Sequence, residues 1–300
     1  MDGERGEGGG APGVVGFIGL GIMGKPMARN LRNAGFELVV HSRSPGPVDE
    51  LVQAGARRAS SPAEVAAASD TLITMLPDTP DVEEVLLGEG DGVLAAAAPG
   101  SLVIDMSTID PGRARSFASA LDQKGIAMLD APVSGGERGA IEGTLSVMAG
   151  GPTDAFERAL PVLRALGSNI VHVGGAGAGQ VAKACNQLVV GATIEAVAEA
   201  LALAERSGVD PAKVREALLG GFAASKILEV HGQRMLDRSF EPGFRVRLHR
   251  KDARIVMDAA REVGASTPSF AVVEDQLERL VDAGGGELDH AALITLLEGA

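Results

Sequence analysis

Three hundred residues are enough for two domains, because single hydrophobic cores stop growing at roughly 250–300 residues. With 27 basic against 40 acidic residues the chain has a formal charge of −13, which argues against nucleic acid or an anionic membrane as a partner, since both need a basic footprint. A lone cysteine, Cys185, excludes an intramolecular disulfide framework and a multi-cysteine zinc site, and it fits a reducing, cytoplasmic setting.

The opening segment, 1–12, mixes Gly with acidic residues and lacks the basic and apolar blocks of a secretory signal, so it reads as a disordered tail. Over 13–174, short apolar runs at 14–18, 38–41, 71–75, 102–105, 127–129, 145–149 and 170–172 alternate with amphipathic stretches. That alternation predicts an α/β domain of the doubly wound Rossmann type, with parallel strands covered by helices. Strand signals stop at the glycine-rich stretch 174–179, after which helices are expected at 180–206, 211–219, 227–237, 248–263, 268–281 and 290–297. Asp210-Pro211 and Thr267-Pro268 mark helix starts, where proline's missing N–H costs nothing. The span 175–300 is therefore expected to be an all-α domain entered through a long helix. No membrane span is expected, because the most apolar stretch, 188–203, is interrupted by Glu195 and Glu199.

The first strand runs directly into Gly19, Leu20, Gly21, Ile22, Met23 and Gly24, a G-x-G-x-x-G turn followed by a helix. In that context Gly19 permits the tight turn, Gly21 lets the backbone approach a pyrophosphate, and Gly24 permits close helix–strand packing; the helix amides then face the phosphates. An NAD site would place a carboxylate at the end of the second strand. This strand ends instead in Ser42, Arg43 and Ser44, an arginine between two hydroxyls, which suits the 2′-phosphate of NADP and leaves NAD possible. Leu76 and Pro77 after the third run and Thr108 after the fourth should border the cofactor, because ligands of open α/β sheets sit beyond the carboxyl ends of the strands.

Absences narrow the chemistry. Without tyrosine the Tyr–Lys pair of short-chain reductases is impossible, and a single cysteine argues against zinc alcohol dehydrogenase chemistry, so the proton donor is expected to be Lys or His. Lys183 stands early on an apolar helix with Asn186 and Gln187 three and four positions on, on the same face. Facing a cleft, its pKa would fall into a usable range; a lysine snorkelling at a domain edge fits the same pattern equally well. Ser134, Gly135 and Gly136 follow a strand and could form a small nest for a carboxylate, or a tight turn only. His172 and His249 are the nearest histidine alternatives, while His41, His231 and His290 show no metal-ligand spacing and read as surface or edge residues. Arg245, Arg247 and Arg250 read as a solvated helix entry, and Cys185 as a small buried hydrophobe.

Taken together, Gly-Phe-Ile-Gly-Leu-Gly-Ile-Met-Gly at 16–24, Asp130-Ala-Pro-Val-Ser-Gly-Gly, Gly143-Thr-Leu-Ser, Lys183-Ala-Cys-Asn-Gln and Lys251-Asp252 resemble the 3-hydroxyacid (β-hydroxyacid) dehydrogenase family over 14–297. The resemblance implies that Lys183 is the catalytic lysine, that Ser134 with Gly135 and Gly136 holds the substrate carboxylate, and that Lys251 reaches the cofactor. It also implies a homodimer or homotetramer built through the helical domain, acting on a small carboxylate-bearing aldehyde or 3-hydroxy acid. Within the family, the stretches 139–148, 220–221 and 240–252 are most like the branch that reduces tartronate semialdehyde (2-hydroxy-3-oxopropanoate) to glycerate with NADPH. Oxidation of 3-hydroxyisobutyrate and reduction of glyoxylate or succinic semialdehyde use the same machinery and stay open. So does a catalytically silent NADP-binding homologue, against which the presence of Lys183 counts. Some relatives carry Asn where this chain has Gln187, so which of Asn186 and Gln187 orients the substrate is open, and Ser42 replaces the Asn common before the cofactor arginine.

Overall fold

The computed structural model describes residues 13–298, so the expected tail over 1–12 lies outside the described residues. The described residues divide into two compact units, one up to Gln180 and the other from Val181 onward.

In chain order the first unit contains β1 (Val14–Ile18), α1 (Gly24–Asn33), β2 (Glu37–His41), α2 (Pro45–Gln53), β3 (Arg57–Arg58), α3 (Pro62–Ala67), β4 (Thr71–Thr74), α4 (Thr79–Leu87), α5 (Val93–Ala96), β5 (Leu102–Asp105), α6 (Pro111–Asp122), β6 (Ala127–Asp130), β7 (Val133–Ser134), α7 (Gly136–Glu142), β8 (Leu145–Gly150), α8 (Thr153–Arg164) and β9 (Gly167–Gly174). The strands form one sheet in the order β3-β2-β1-β4-β5-β6-β8-β7, with β9 added beside β8. From β3 to β6 every pairing is parallel, as the strand–helix alternation predicts. Beyond β6 the sheet is mixed, because β8 runs antiparallel to β6 and β7 and parallel to β9. Apolar periodicity carries no strand direction, and β3 and β7, at two residues each, are too short to show a period.

Two apolar clusters cover the two faces of the sheet. Val15 and Phe17 of β1 enter one, with Met27 and Leu31 of α1 and Leu163 of α8; Ile18 enters the other, with Val65 of α3, Leu86 of α4 and Phe117 of α6. Burial on both faces explains why the strands read as continuous apolar runs.

The long helix α9 (Ala178–Arg206) starts at the end of the first unit and continues into the second. It is long and apolar enough to cross a membrane by composition, yet half of its most apolar stretch is buried in the fold, as in a core helix. There follow α10 (Pro211–Leu219), α11 (Lys226–Asp237), α12 (Val246–Val263), α13 (Pro268–Asp282) and, after tight 3₁₀ turns at Gly285–Glu287 and His290–Ile294, α14 (Thr295–Glu298). The single helix expected over 290–297 is thus a 3₁₀ segment that passes into a short α-helix. The second unit buries its own core, with Ile194 and Leu201 of α9, Val246 and Val256 of α12, and Phe270, Val273 and Leu277 of α13.

Candidate active site

In the first unit, β1 lies between β2 and β4, so the chain winds away from it in both directions, and the carboxyl ends of the strands there border a ligand crevice. The loops expected at the cofactor, 19–24, 42–44, 76–77 and 108, follow β1, β2, β4 and β5, four adjacent strands. Gly19 has φ +97°, and a Cβ there would collide with the Met75 carbonyl oxygen; a Cβ on Gly24 would collide with the carbonyl oxygen of Gly19. A Cβ on Gly21, by contrast, would meet nothing within 4 Å, so the space beside this residue is open where a pyrophosphate would approach. The Gly19 amide donates to the His41 carbonyl at 3.0 Å and the Met75 amide to that of Ile18 at 2.9 Å, which fixes the turn on its strands.

The other expected contacts are placed unequally. Ile22 is 45% exposed and Met23 half-buried, whereas the Leu20 side chain is in the core, so only its backbone can serve a ligand. The Leu20 amide donates to Ser42 Oγ at 3.5 Å, so Ser42 braces the glycine turn. Arg43 is 79% exposed and its Nη1 lies 3.2 Å from Asp81 Oδ1. Ser44 and Pro77 are exposed, Leu76 and Thr108 half-buried, and the Leu76 amide donates to Ser107 Oγ at 2.9 Å.

Two buried carboxylates at strand ends have partners that no motif shows. Asp105, at the end of β5, accepts from Thr74 Oγ1 at 2.8 Å and the Ser107 amide at 3.2 Å, and burial pushes its pKa up to about 6. Asp130, at the end of β6, accepts from the amides of Gly177 at 2.7 Å and Gln180 at 2.9 Å, and so caps the first turn of α9. Gln180 completes the anchor: its Nε2 donates to the Ser107 carbonyl at 2.8 Å, and its Oε1 accepts from the Ile109 amide at 3.1 Å. Asp130 stands in a motif the sequence displays, but its partners are 47 and 50 residues away.

Ser134 ends β7 half-buried, and Gly135 and Gly136 follow, exposed, with φ of +139° and +61°. Two consecutive positive φ values demand glycine at both positions, so the backbone after the Ser134 hydroxyl carries no side chain over two residues.

In the second unit Lys183 is 7% exposed, and its Nζ donates to Gln187 Oε1 at 3.1 Å. Gln187 Nε2 donates to Asp252 Oδ2 at 2.6 Å, and Lys251 Nζ lies 2.8 Å from Asp252 Oδ1. Burial pushes the Lys183 pKa down to about 8, with the Asp252 charge opposing and the Lys251 charge adding to the fall. The structure therefore brings Lys183, Gln187 and Lys251 into one cluster and adds Asp252. Asn186 is near them on α9, and its buried Oδ1 has no hydrogen-bond partner among the described residues. Cys185 is exposed rather than buried as expected: two residues from both Lys183 and Gln187, it falls on the opposite side of α9 from the face turned to α12.

Three histidines form a row beside this cluster, and His290, expected at the surface or an edge, is buried. His249 Nδ1 lies 3.2 Å from His290 Nδ1, and His290 Nε2 lies 3.3 Å from His231 Nε2. His231 Nδ1 lies 3.6 Å from Asp289 Oδ1. Asp289 also takes the Arg234 guanidinium at 2.7 Å and the amides of Gly243, Phe244 and Ala291, so its oxygens are already filled and a cation there would face a fixed positive charge. Burial pushes the His249 pKa down to about 4 and that of His290 well below the usual histidine range, so at neutral pH neither offers a proton. His172, the other histidine alternative, lies on β9 with Nε2 2.9 Å from the Gly151 carbonyl and its ring stacked on Phe156. Arg245 and Arg247, at the entry to α12, pair with the exposed Glu287, and Arg250 pairs with Glu278.

Residues 14–174 match the model of the NAD binding domain of 6-phosphogluconate dehydrogenase, and residues 177–297 match that of the NAD-binding domain of NADP-dependent 3-hydroxyisobutyrate dehydrogenase. The chain is 49% identical to 2-hydroxy-3-oxopropionate reductase from Escherichia coli K12, over 95% of its own length and 97% of that protein's. Its structure is similar to that of 3-hydroxyisobutyrate dehydrogenase from Mycobacterium tuberculosis with L-serine, at TM-score 0.87 and 35% identity over 96% of this chain and 100% of that one. A second similar structure, Psf3 in complex with NADP+ and 2-OPP, has TM-score 0.86 and 26% identity, covering 94% of this chain and 99% of that one.

Proposed function

The chain belongs to the 3-hydroxyacid dehydrogenase family, and from that premise we propose that it uses NADPH to reduce tartronate semialdehyde to glycerate, with Lys183 as proton donor. As a family member it is an NAD(P)-dependent oxidoreductase acting on the CH–OH group of small 3-hydroxy acids. The finer reading of the substrate draws on the identity to the Escherichia coli reductase and on the motif stretches 139–148 and 240–252.

The observation that carries the mechanism is a buried lysine whose pKa is pushed down to about 8, near the pH at which an acid must both hold and release a proton. When bound, NADPH supplies the hydride that reduces the aldehyde carbon. Lys183 ammonium donates a proton to the carbonyl oxygen, and Gln187 holds the ammonium while itself held by Asp252. Ser134 with the amides of Gly135 and Gly136 grips the substrate carboxylate, and this positioning lowers the entropic part of the barrier. Gln187 already has both ends of its amide engaged, so Asn186, whose Oδ1 is unpartnered among the described residues, is the amide that orients the substrate. In the first unit the 19–24 turn takes the pyrophosphate, with Leu76, Pro77 and Thr108 along the crevice, and Arg43 between Ser42 and Ser44 takes the 2′-phosphate. Lys251 is assigned to the cofactor side.

The helical span expected over 175–300 is assigned to substrate binding and to a homodimer or homotetramer in the cytoplasm. Support for the assembly is the outward face of α9, where Val181, Val189 and Leu203 are 46%, 59% and 68% exposed.

Lys183→Ala should lower kcat by about 10²- to 10⁴-fold while the dissociation constant for NADPH, read by fluorescence titration, stays within twofold. Near-wild-type turnover would remove Lys183 from the chemistry. A kinetic panel of tartronate semialdehyde, methylmalonate semialdehyde, glyoxylate and succinic semialdehyde, with NADPH and NADH, tests the substrate. Tartronate semialdehyde with NADPH should give the highest kcat/KM, and no turnover on any member would favour a silent nucleotide-binding protein.

A further inference from the structure

Arg43 and its ion-pair partner come from opposite sides of β1. Arg43 follows the carboxyl end of β2, and Asp81 lies in the first turn of α4, which follows β4. Because the sheet order is β2, β1, β4, the 3.2 Å contact between Arg43 Nη1 and Asp81 Oδ1 joins the segments that follow the two strands flanking β1, at the carboxyl-end side of the sheet where the glycine turn begins. The helix does not need Asp81 as a cap, since Asp78 already fills that place by accepting the Thr79 amide at 2.7 Å. Asp81 instead brings a carboxylate to the one arginine that the end of β2 offers to a cofactor.

We propose that Asp81 sets the balance between NADPH and NADH by competing with the 2′-phosphate for the Arg43 guanidinium. This rests on the reading of Arg43 as the 2′-phosphate ligand and adds a specificity-determining residue to it. A ribose 2′-phosphate carries more charge and more acceptor oxygens than a carboxylate, so it wins the guanidinium. To do so it must break or share the pair, and it then lies beside a like charge. NADH, with a 2′-hydroxyl, leaves the pair as it stands. Asp81 therefore acts against NADPH selectively and keeps NADH usable. The pair is exposed, at 79% for Arg43 and 26% for Asp81, which limits the effect to about two- to fivefold.

The test is steady-state kinetics of Asp81→Asn, Arg43→Ala and the double variant with each cofactor on one aldehyde substrate. Asp81→Asn removes the charge and keeps the shape, so KM for NADPH should fall about two- to fivefold at unchanged kcat, while KM for NADH moves less than twofold and reports an intact fold. The gain should shrink as ionic strength rises, because the competition is electrostatic and exposed. In the Arg43→Ala background the same substitution should gain less than twofold. An unchanged NADPH-to-NADH ratio in Asp81→Asn overturns the competition, and a raised KM for NADPH overturns it in favour of Asp81 holding Arg43 ready for the phosphate. If Arg43→Ala leaves KM for NADPH unaltered, the assignment of Arg43 itself fails, and the competition with it. That outcome is separate from a failure of Asp81 alone.

Discussion

A buried lysine ammonium on an apolar helix is costly, and at Lys183 the cost appears as a pKa of about 8, with burial as the largest cause and the Asp252 charge working against it. The sign of the pH dependence follows. Reduction needs the ammonium, so kcat for reduction should fall as pH rises through about 8, and oxidation of the 3-hydroxy acid, which needs the amine, should rise over the same range. Asp252→Asn removes the charge that favours the ammonium, so both limbs should move to lower pH. Profiles of kcat from pH 6 to 10 in the two directions check this, and a shift to higher pH in Asp252→Asn would contradict it. The lysine and its two amides are visible in the sequence, because residues three and four apart share a helix face. Asp252 is not, since it reaches Gln187 across 65 residues.

At the scale of elements, α9 is held at its start by groups from two strands. Asp130 closes the first turn by accepting two backbone amides, and Gln180 is pinned to the loop after β5 through both ends of its amide. Asp130→Ala leaves buried N–H groups without an acceptor, which should destabilise the protein by about 2 kcal/mol. Urea unfolding of the variant at pH 7 measures it, and a loss below about 0.5 kcal/mol would mean that the cap is dispensable. Elements with a chemical start signal are the ones the sequence places best. For α10, Asp210 caps through the Ala212 amide at 2.9 Å and Pro211 opens the helix, so the expected and observed spans coincide. Elements defined only by pairing, such as β7 against β8, are invisible in the sequence because their partner supplies the hydrogen bonds.

For the molecule as a whole, stability against pH is a contest between buried groups of opposite kind. His249, with a pKa pushed by burial to about 4, stays neutral in the fold while the unfolded chain binds a proton below about 6.5, so its contribution is lost as pH falls from about 6.5 toward 4; His290 acts in the same direction. Glu195, pushed up to about 7 by burial and then by Glu199, and Asp105, pushed up to about 6, bind protons in the fold before the unfolded chain does, and so add stability as pH falls. The two trends offset each other between pH 7 and 5. Glu195→Gln removes one side of the balance: it should stabilise the protein at pH 8 by about 1–2 kcal/mol, have little effect near pH 4, and lose stability on acidification where the parent holds steady. Denaturant titrations at pH 8, 6 and 4 distinguish this from a stability change that is equal at every pH, which would mean that Glu195 is not raised.

The sequence by itself determines the Rossmann-type sheet followed by helices, the glycine turn at 19–24 and the face of α9 that carries Lys183, because each is written in periodicity or spacing over a few residues. Only the tertiary structure decides what those groups meet: Asp130 at the start of α9, Asp252 behind Gln187, Asp81 paired with Arg43, and a histidine row assembled from positions 231, 249 and 290. Those partners lie tens of residues apart along the chain, and packing alone brings them within hydrogen-bond or ion-pair distance. Their charges and protonation states are then set by burial, a property no local pattern contains.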